Sequence, residues 1–151
     1  MIACDMSRAL KSTGAVTIIA ALLGVCAGTA LAAHALRATD TAHLRYISAS
    51  GSLLVEQGRA SGTLPGSMRV HFDVGPVFTG SFTIYAGGGS ISGHGSATPH
   101  GSGVYESFAG SLTVTGGSGR YAHAHGQAKL YGTFDRNSYA LLVQTVGTLH
   151  Y

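Results

Sequence analysis

The sequence predicts an all-β domain, an eight-stranded antiparallel up-and-down β-barrel preceded by a signal-peptide helix. Three observations carry that prediction. Apolar and polar residues alternate with a period of two through the second half of the chain. Glycine is abundant, 23 of 151 residues, and punctuates the alternating runs without a fixed period of its own. No segment beyond the leader keeps an apolar stripe at i, i+3 and i+4, so no long helix is expected there.

The leader comes first. Arg8 and Lys11 form a basic start, and "AVTIIAALLGVCAGTA" (15–30) is an apolar run. Ala30-Leu31-Ala32 is an A-x-A cleavage site, so residues 1–32 read as a signal peptide and the mature chain as secreted or periplasmic. Met6 is an alternative start. An uncleaved membrane anchor, or a lipoprotein made at Cys26, are the competing readings, and any membrane contact would run through this leader alone. The mature chain keeps 119 residues and no cysteine, since Cys4 and Cys26 both lie in the leader. Disulfides therefore play no part, and packing and sheet hydrogen bonds must hold the domain. With 7 basic and 5 acidic residues and no Lys/Arg run, the mature chain lacks the clustered charge that nucleic-acid binding needs.

Residues 33–42 read as a flexible N-terminal arm and residues 43–151 as the barrel domain. The expected strands are 43–49, 52–64, 67–74, 79–86, 89–98, 105–115, 124–134 and 139–150, the second bending near Gly58. In "SMRVHFDV", Met68, Val70, Phe72 and Val74 share one face. "GSFTIY" places Phe82 with Ile84, and "ESFAGSLTVT" places Phe108 with Leu112. "AHGQAKLYGTF" places Leu130 with Phe134, and "YALLVQTVGTL" places Leu141 with Val143. Of these, Phe72, Phe82, Ile84, Phe108, Leu112, Leu130, Phe134, Leu141 and Val143 are the expected barrel lining and the candidate ligand contacts. Short turns at "LPG", "VGP", "GG" and "DRNS" join the strands. A sandwich fits the same pattern, but a closed barrel leaves no exposed edge, which suits a secreted domain.

Two short stretches carry a family resemblance. Gly116-Gly117-Ser118-Gly119-Arg120-Tyr121, followed by Ala124-His125-Gly126, resembles the "GGTGRF..ARG" motif of dirigent proteins, which occurs more loosely across the allene oxide cyclase barrels. Gly58-Arg59-Ala60-Ser61-Gly62 resembles the dirigent "GRAQG" stretch. The resemblance spans roughly residues 56–134. It implies an eight-stranded barrel with a hydrophobic cavity, often trimeric. Gly58, Arg59, Gly116, Gly117, Gly119, Arg120, Tyr121 and Gly126 would be its structural motif. His125 stands where the family usually has Arg, and no counterpart of the plant proteins' catalytic acids is found.

Candidate chemistry is sparse. Glu106 falls on the inward parity at the start of its strand, and Tyr139 shares the parity of Leu141. As neighbours at one barrel end they form the candidate catalytic pair, an acid or base with an orienting phenol. Glu56 and Arg59 read as structural ties, with each other or with Arg120. His123 and His125, two apart, can present two imidazoles to zinc or copper, but a site needs a third ligand, so solvent-facing histidines are the preferred reading and no metal or cofactor is assigned. Tyr85, Tyr105, Tyr121 and Tyr131 are candidates for an aromatic patch. The leading expectation is a barrel that binds or orients a small hydrophobic or phenolic molecule without covalent chemistry of its own. A cofactor-free cyclase or isomerase, and a cell-envelope protein with a filled barrel, are the alternatives.

Overall fold

The computed structural model describes residues 34–151; the expected leader helix and cleavage site lie outside them. Alternation does here what it dictates: each run pairs with its neighbour and buries alternate side chains. Eight strands result: β1 (Ala35–Ser50), β2 (Leu53–Gly62), β3 (Gly66–Asp73), β4 (Phe78–Ala86), β5 (Gly89–His100), β6 (Tyr105–Gly119), β7 (His125–Asp135) and β8 (Leu141–His150). All neighbouring pairs are antiparallel, and β1 pairs with both β2 and β8, so the sheet closes into a barrel. Closure satisfies every edge.

Several strand boundaries differ from expectation, and two of the differences, at β1 and β4, have clear physical reasons. Residues 35–42, expected as a loose arm, are the first half of β1 and pair with β8 from Ala35↔His150 to Ala42↔Val143. Their inward positions carry Leu36, Ala38, Asp40 and Ala42, and with one large apolar residue among the four they display the period only weakly. Asp40 is buried because its Oδ1 accepts from the Leu64 N–H at 2.6 Å, tying the β2–β3 turn to β1. Phe78, expected in a turn, opens β4 and is buried. The β1–β2 register shifts by one residue between Tyr46 and Ser48 of β1.

The "upper" end of the barrel carries the β1–β2, β3–β4, β5–β6 and β7–β8 connections. The "lower" end carries the other three connections and the ends of β1 and β8. In the upper half, Phe72, Phe78, Phe108 and Phe134 pack ring against ring, with four centroid separations of 5.9–6.2 Å, within the range aromatic pairs prefer. Two of these rings gain room from a glycine on one neighbouring strand, Phe72↔Gly80 and Phe108↔Gly132, as Phe82 does below them opposite Gly93. A Cβ on Gly93 would lie 2.9 Å from the Phe82 Cζ, and one on Gly132 would overlap both the Phe108 ring and the Leu142 carbonyl.

Gly132→Ala is therefore expected to destabilise the barrel by about 1–3 kcal/mol, an overpacking cost, read as a drop in thermal midpoint. Gly116→Ala is the control: nothing lies within 4 Å of its added Cβ, and its midpoint should stay within about 0.5 kcal/mol of the parent. Equal behaviour of the two would show that the glycines are not the slots for the rings.

Candidate functional site

The interior is mostly apolar, but Thr145 and three carboxyl groups, Asp40, Glu56 and Glu106, hold inward positions, and the fates of the carboxyls differ. Glu56 sits on β2 between Leu54 and Ala60 in the alternation, so its side chain turns inward with theirs. It is 0% exposed, and neither carboxylate oxygen has a hydrogen-bond partner. Its cross-strand neighbours are Tyr46 on β1 and Val70 on β3. Loss of hydration pushes the Glu56 carboxyl up to about 8, so at neutral pH it is mainly the uncharged acid. An uncharged carboxyl in an apolar box can donate one hydrogen bond and accept others.

This corrects the reading of Glu56 and Arg59 as mutual ties. Three residues apart on one strand, they fall on opposite faces: Glu56 is buried and Arg59 exposed. The parity of Leu54, Glu56 and Ala60 was the signal that marks Glu56 as an interior acid.

Glu106 is another interior carboxyl. It is buried at the upper end of β6, opposite Phe134. Arg136, in the β7–β8 loop, donates to its Oε2. The Arg136 main-chain N–H also donates to the Val104 carbonyl at 2.8 Å, which holds the loop over the β6 start. Tyr139 is at the same end, as expected, with its ring 6.1 Å from Phe134 and 5.4 Å from Tyr46. It is 43% exposed and adopts φ 55°, the one left-handed non-glycine among the described residues. No hydrogen bond joins Glu106 to Tyr139; the partner of Glu106 is Arg136, a residue the sequence reading left inside a turn. Asp135 shapes that turn by accepting from the Asn137 N–H at 2.9 Å and the Ser138 hydroxyl at 2.6 Å, which hold its carboxyl below the usual range.

Two cavities remain inside the barrel. One, about 80 Å³, is lined by Met68, Val70, Phe72, Phe78, Phe82, Phe108, Leu112, Leu130, Leu141 and Val143, and reaches exposed Thr79, Ser81 and Ser96 where Gly80 and Gly95 pair across β4 and β5. The other, about 60 Å³, lies lower, against Asp40, Ile84, Ile91 and Leu149. Met68, Phe82, Leu112 and Val143 border both. Of the expected lining, only Phe134 touches neither, being fully enclosed among the rings. Val70, the cross-strand neighbour of Glu56, forms part of the wall of the larger cavity.

The glycine-rich stretch builds the lower corner. Gly116–Gly119 finish β6, Gly119 at φ 60°, and residues 120–124 turn through bonds from Tyr121 N to Ser118 O, Ala122 N to Gly119 O and Ala124 N to Tyr121 O. Arg120 lies over the Tyr121 and Tyr151 rings, at 5.1 and 5.6 Å, and donates to the Tyr151 hydroxyl at 3.3 Å, which stabilises its charged form. Tyr121 is buried there, whereas Tyr85, Tyr105 and Tyr131 are exposed at separate places. The expected tyrosine patch does not assemble. Among the described residues, no three His, Cys, Asp or Glu side chains converge on one point.

Comparison with protein-family models, with curated proteins and with solved structures returns no match to this chain. What fold and interior define is a closed antiparallel barrel with one uncharged, unpartnered acid inside.

Two predictions follow from the carboxyls. Glu56 holds its proton more tightly folded than unfolded, so it costs no stability below pH 4.5, an increasing amount as pH rises, and a constant amount above about 8. Glu56→Gln should match the parent at pH 4 and exceed it by something on the order of 3 kcal/mol at pH 7, measured by urea unfolding across pH; a pH-independent difference would show that Glu56 does not titrate this way. Arg136→Ala should cost about 1–2 kcal/mol, discounted because the arginine is 47% exposed. That loss should vanish in a Glu106→Gln background.

Proposed function

We propose that the protein is an exported barrel that holds a small apolar or phenolic molecule in its interior, with Glu56 addressing that molecule's polar atom and no covalent chemistry of its own. The observation that carries this reading is the partnerless burial of Glu56. An unsatisfied buried polar group costs roughly 1–3 kcal/mol, and a barrel needing only a filled core gains nothing from it. Glu56 lines neither cavity itself, but its neighbour Val70 walls the larger one, and a bound hydroxyl or carbonyl reaching past Val70 would supply the missing partner.

Three further features support it. The larger cavity is almost wholly apolar and is bounded by Met68, whose flexible side chain can give way. Merged, the two cavities would approach the roughly 150 Å³ of an apolar cavity that takes benzene, which limits the ligand to about one ring. Among the described residues, seven of the ten exposed large hydrophobics, Tyr46, Ile47, Leu53, Val77, Val104, Tyr105 and Tyr139, ring the upper end, next to the phenylalanine cluster. The up-and-down strand order, export through residues 1–32 and a trimeric assembly belong to the same reading, since the dirigent and allene oxide cyclase resemblance implies the barrel and the trimer. Within a cyclase or isomerase variant of it, Glu56 joins Glu106 and Tyr139 as an acid to test.

The second reading is the filled structural barrel, favoured by the cavity sizes, well under the ~300–1,000 Å³ of most ligand sites. Titration with phenol and with toluene, followed by the Met68 methyl NMR signal, separates the two. Both probes should move that signal, and Glu56→Leu should weaken phenol about tenfold, one hydrogen bond's worth, while leaving toluene unchanged. A Met68 signal indifferent to both probes favours the filled barrel and removes the binding proposal.

A further inference from the structure

The barrel closes at its lower corner through β7 and β8, and there two imidazoles meet. His125, the first residue of β7, lies directly opposite His150, the last of β8. Their rings are stacked, centroids 5.2 Å apart and planes 17° from parallel. The partner that the sequence suggested for His125 was His123, two residues earlier. His123 instead belongs to the turn, and it contributes its main chain: the carbonyl of His123 lies 3.0 Å from His125 Nδ1.

That contact fixes the chemistry of the ring. A carbonyl only accepts, so Nδ1 carries the hydrogen and donates it. Neutral His125 therefore has its lone pair on Nε2. The same arrangement, one ring nitrogen donating to a backbone carbonyl, orients histidine ligands in metal sites and raises their basicity. We infer that His125 and His150 form a two-imidazole site for a divalent first-row transition metal on the outer face of the barrel, with water completing the coordination.

The surroundings suit such a half-site. Both side chains are on the outer face, His125 exposed and His150 half-buried, so one ring can swing out of the stack to bring its nitrogen within the ~2.0–2.1 Å of a metal bond. The strand ends hold the two backbones in register, so little ordering is left for the metal to impose. Of the cations near the pair, Arg120 is engaged with Tyr121 and Tyr151, and Arg37 stands on the neighbouring strand opposite Thr148 rather than His150. With two nitrogen ligands and no thiolate, copper(II) should bind most tightly, ahead of nickel(II) and zinc(II).

The test uses the untagged full chain with Cys4 and Cys26 alkylated, titrated calorimetrically with copper(II), nickel(II) and zinc(II). One equivalent of copper is expected. His125→Gln and His150→Gln should each weaken it at least about tenfold, the double variant should be little worse than either single, and His123→Gln should bind as the parent does. Single variants that titrate like the parent overturn the site; an equal loss in His123→Gln reassigns it to the two-apart pair and overturns it too. Should a variant fold poorly, the parent decides alone: copper should shield His125 and His150, but not His43 or His94, from diethyl pyrocarbonate. Unchanged modification of His125 and His150 would sink the proposal.

Discussion

The rest of the structure depends on a steric match between rings and glycines across adjacent strands. Eight strands enclose a narrow space, and four phenylalanines must share its upper half. They do so because Phe72 and Phe108 each face a glycine on the next strand, as Phe82 does lower down. The absent Cβ lets the ring lie against the wall rather than stand across the lumen, so rings from opposite sides can meet edge to face. Pleating sets the rest: once these rings point inward, parity decides every other side chain, including those with no affinity for an apolar interior.

Glu56 is the clearest consequence. Nothing about its own chemistry favours the interior; its place between Leu54 and Ala60 puts it there. Glu106 obeys the same rule but sits at a strand end, where a loop cation can reach it. Depth along the strand separates the two. At the barrel's end Arg136 neutralises a carboxylate, while further in no cation reaches, and the group keeps its proton instead. Of the three interior acids, Asp40 accepts from the Leu64 N–H, Glu106 is held as an ion pair with Arg136, and only Glu56, held neutral, has neither oxygen in a hydrogen bond.

How much of this is legible in the sequence follows from the same physics. Strands β3 to β8 were readable to within a few residues because large apolar side chains mark their inward positions. The first half of β1 was hidden because, after Leu36, its inward positions hold Ala38, Asp40 and Ala42, and the bond that makes Asp40 tolerable comes from Leu64, 24 residues away. Phe78 was lost to a turn signal, Gly75-Pro76, whose turn ends one residue earlier than it reads. The inward parity of Glu106 was visible, but Arg136 was not: the partnership exists only once the β6–β7 register sets Glu106 opposite Phe134. Glu56 was readable by counting and was obscured by the nearby arginine, since charge pairing along a sequence ignores which face each residue takes.

The glycine-rich stretch 116–126 brings these threads together. Its glycines let β6 run on against β5 and then turn sharply at Gly119, so that Arg120 and Tyr121 can cap the lower end against Tyr151. The turn also fixes where β7 begins, and with it which residue of β8 stands opposite His125. A one-residue change in that turn would move His125 to the inner face and leave His150 facing a different side chain. The corner motif and the imidazole pair are therefore one device seen twice: the glycines set the register, and the register determines that two histidines 25 positions apart share a face.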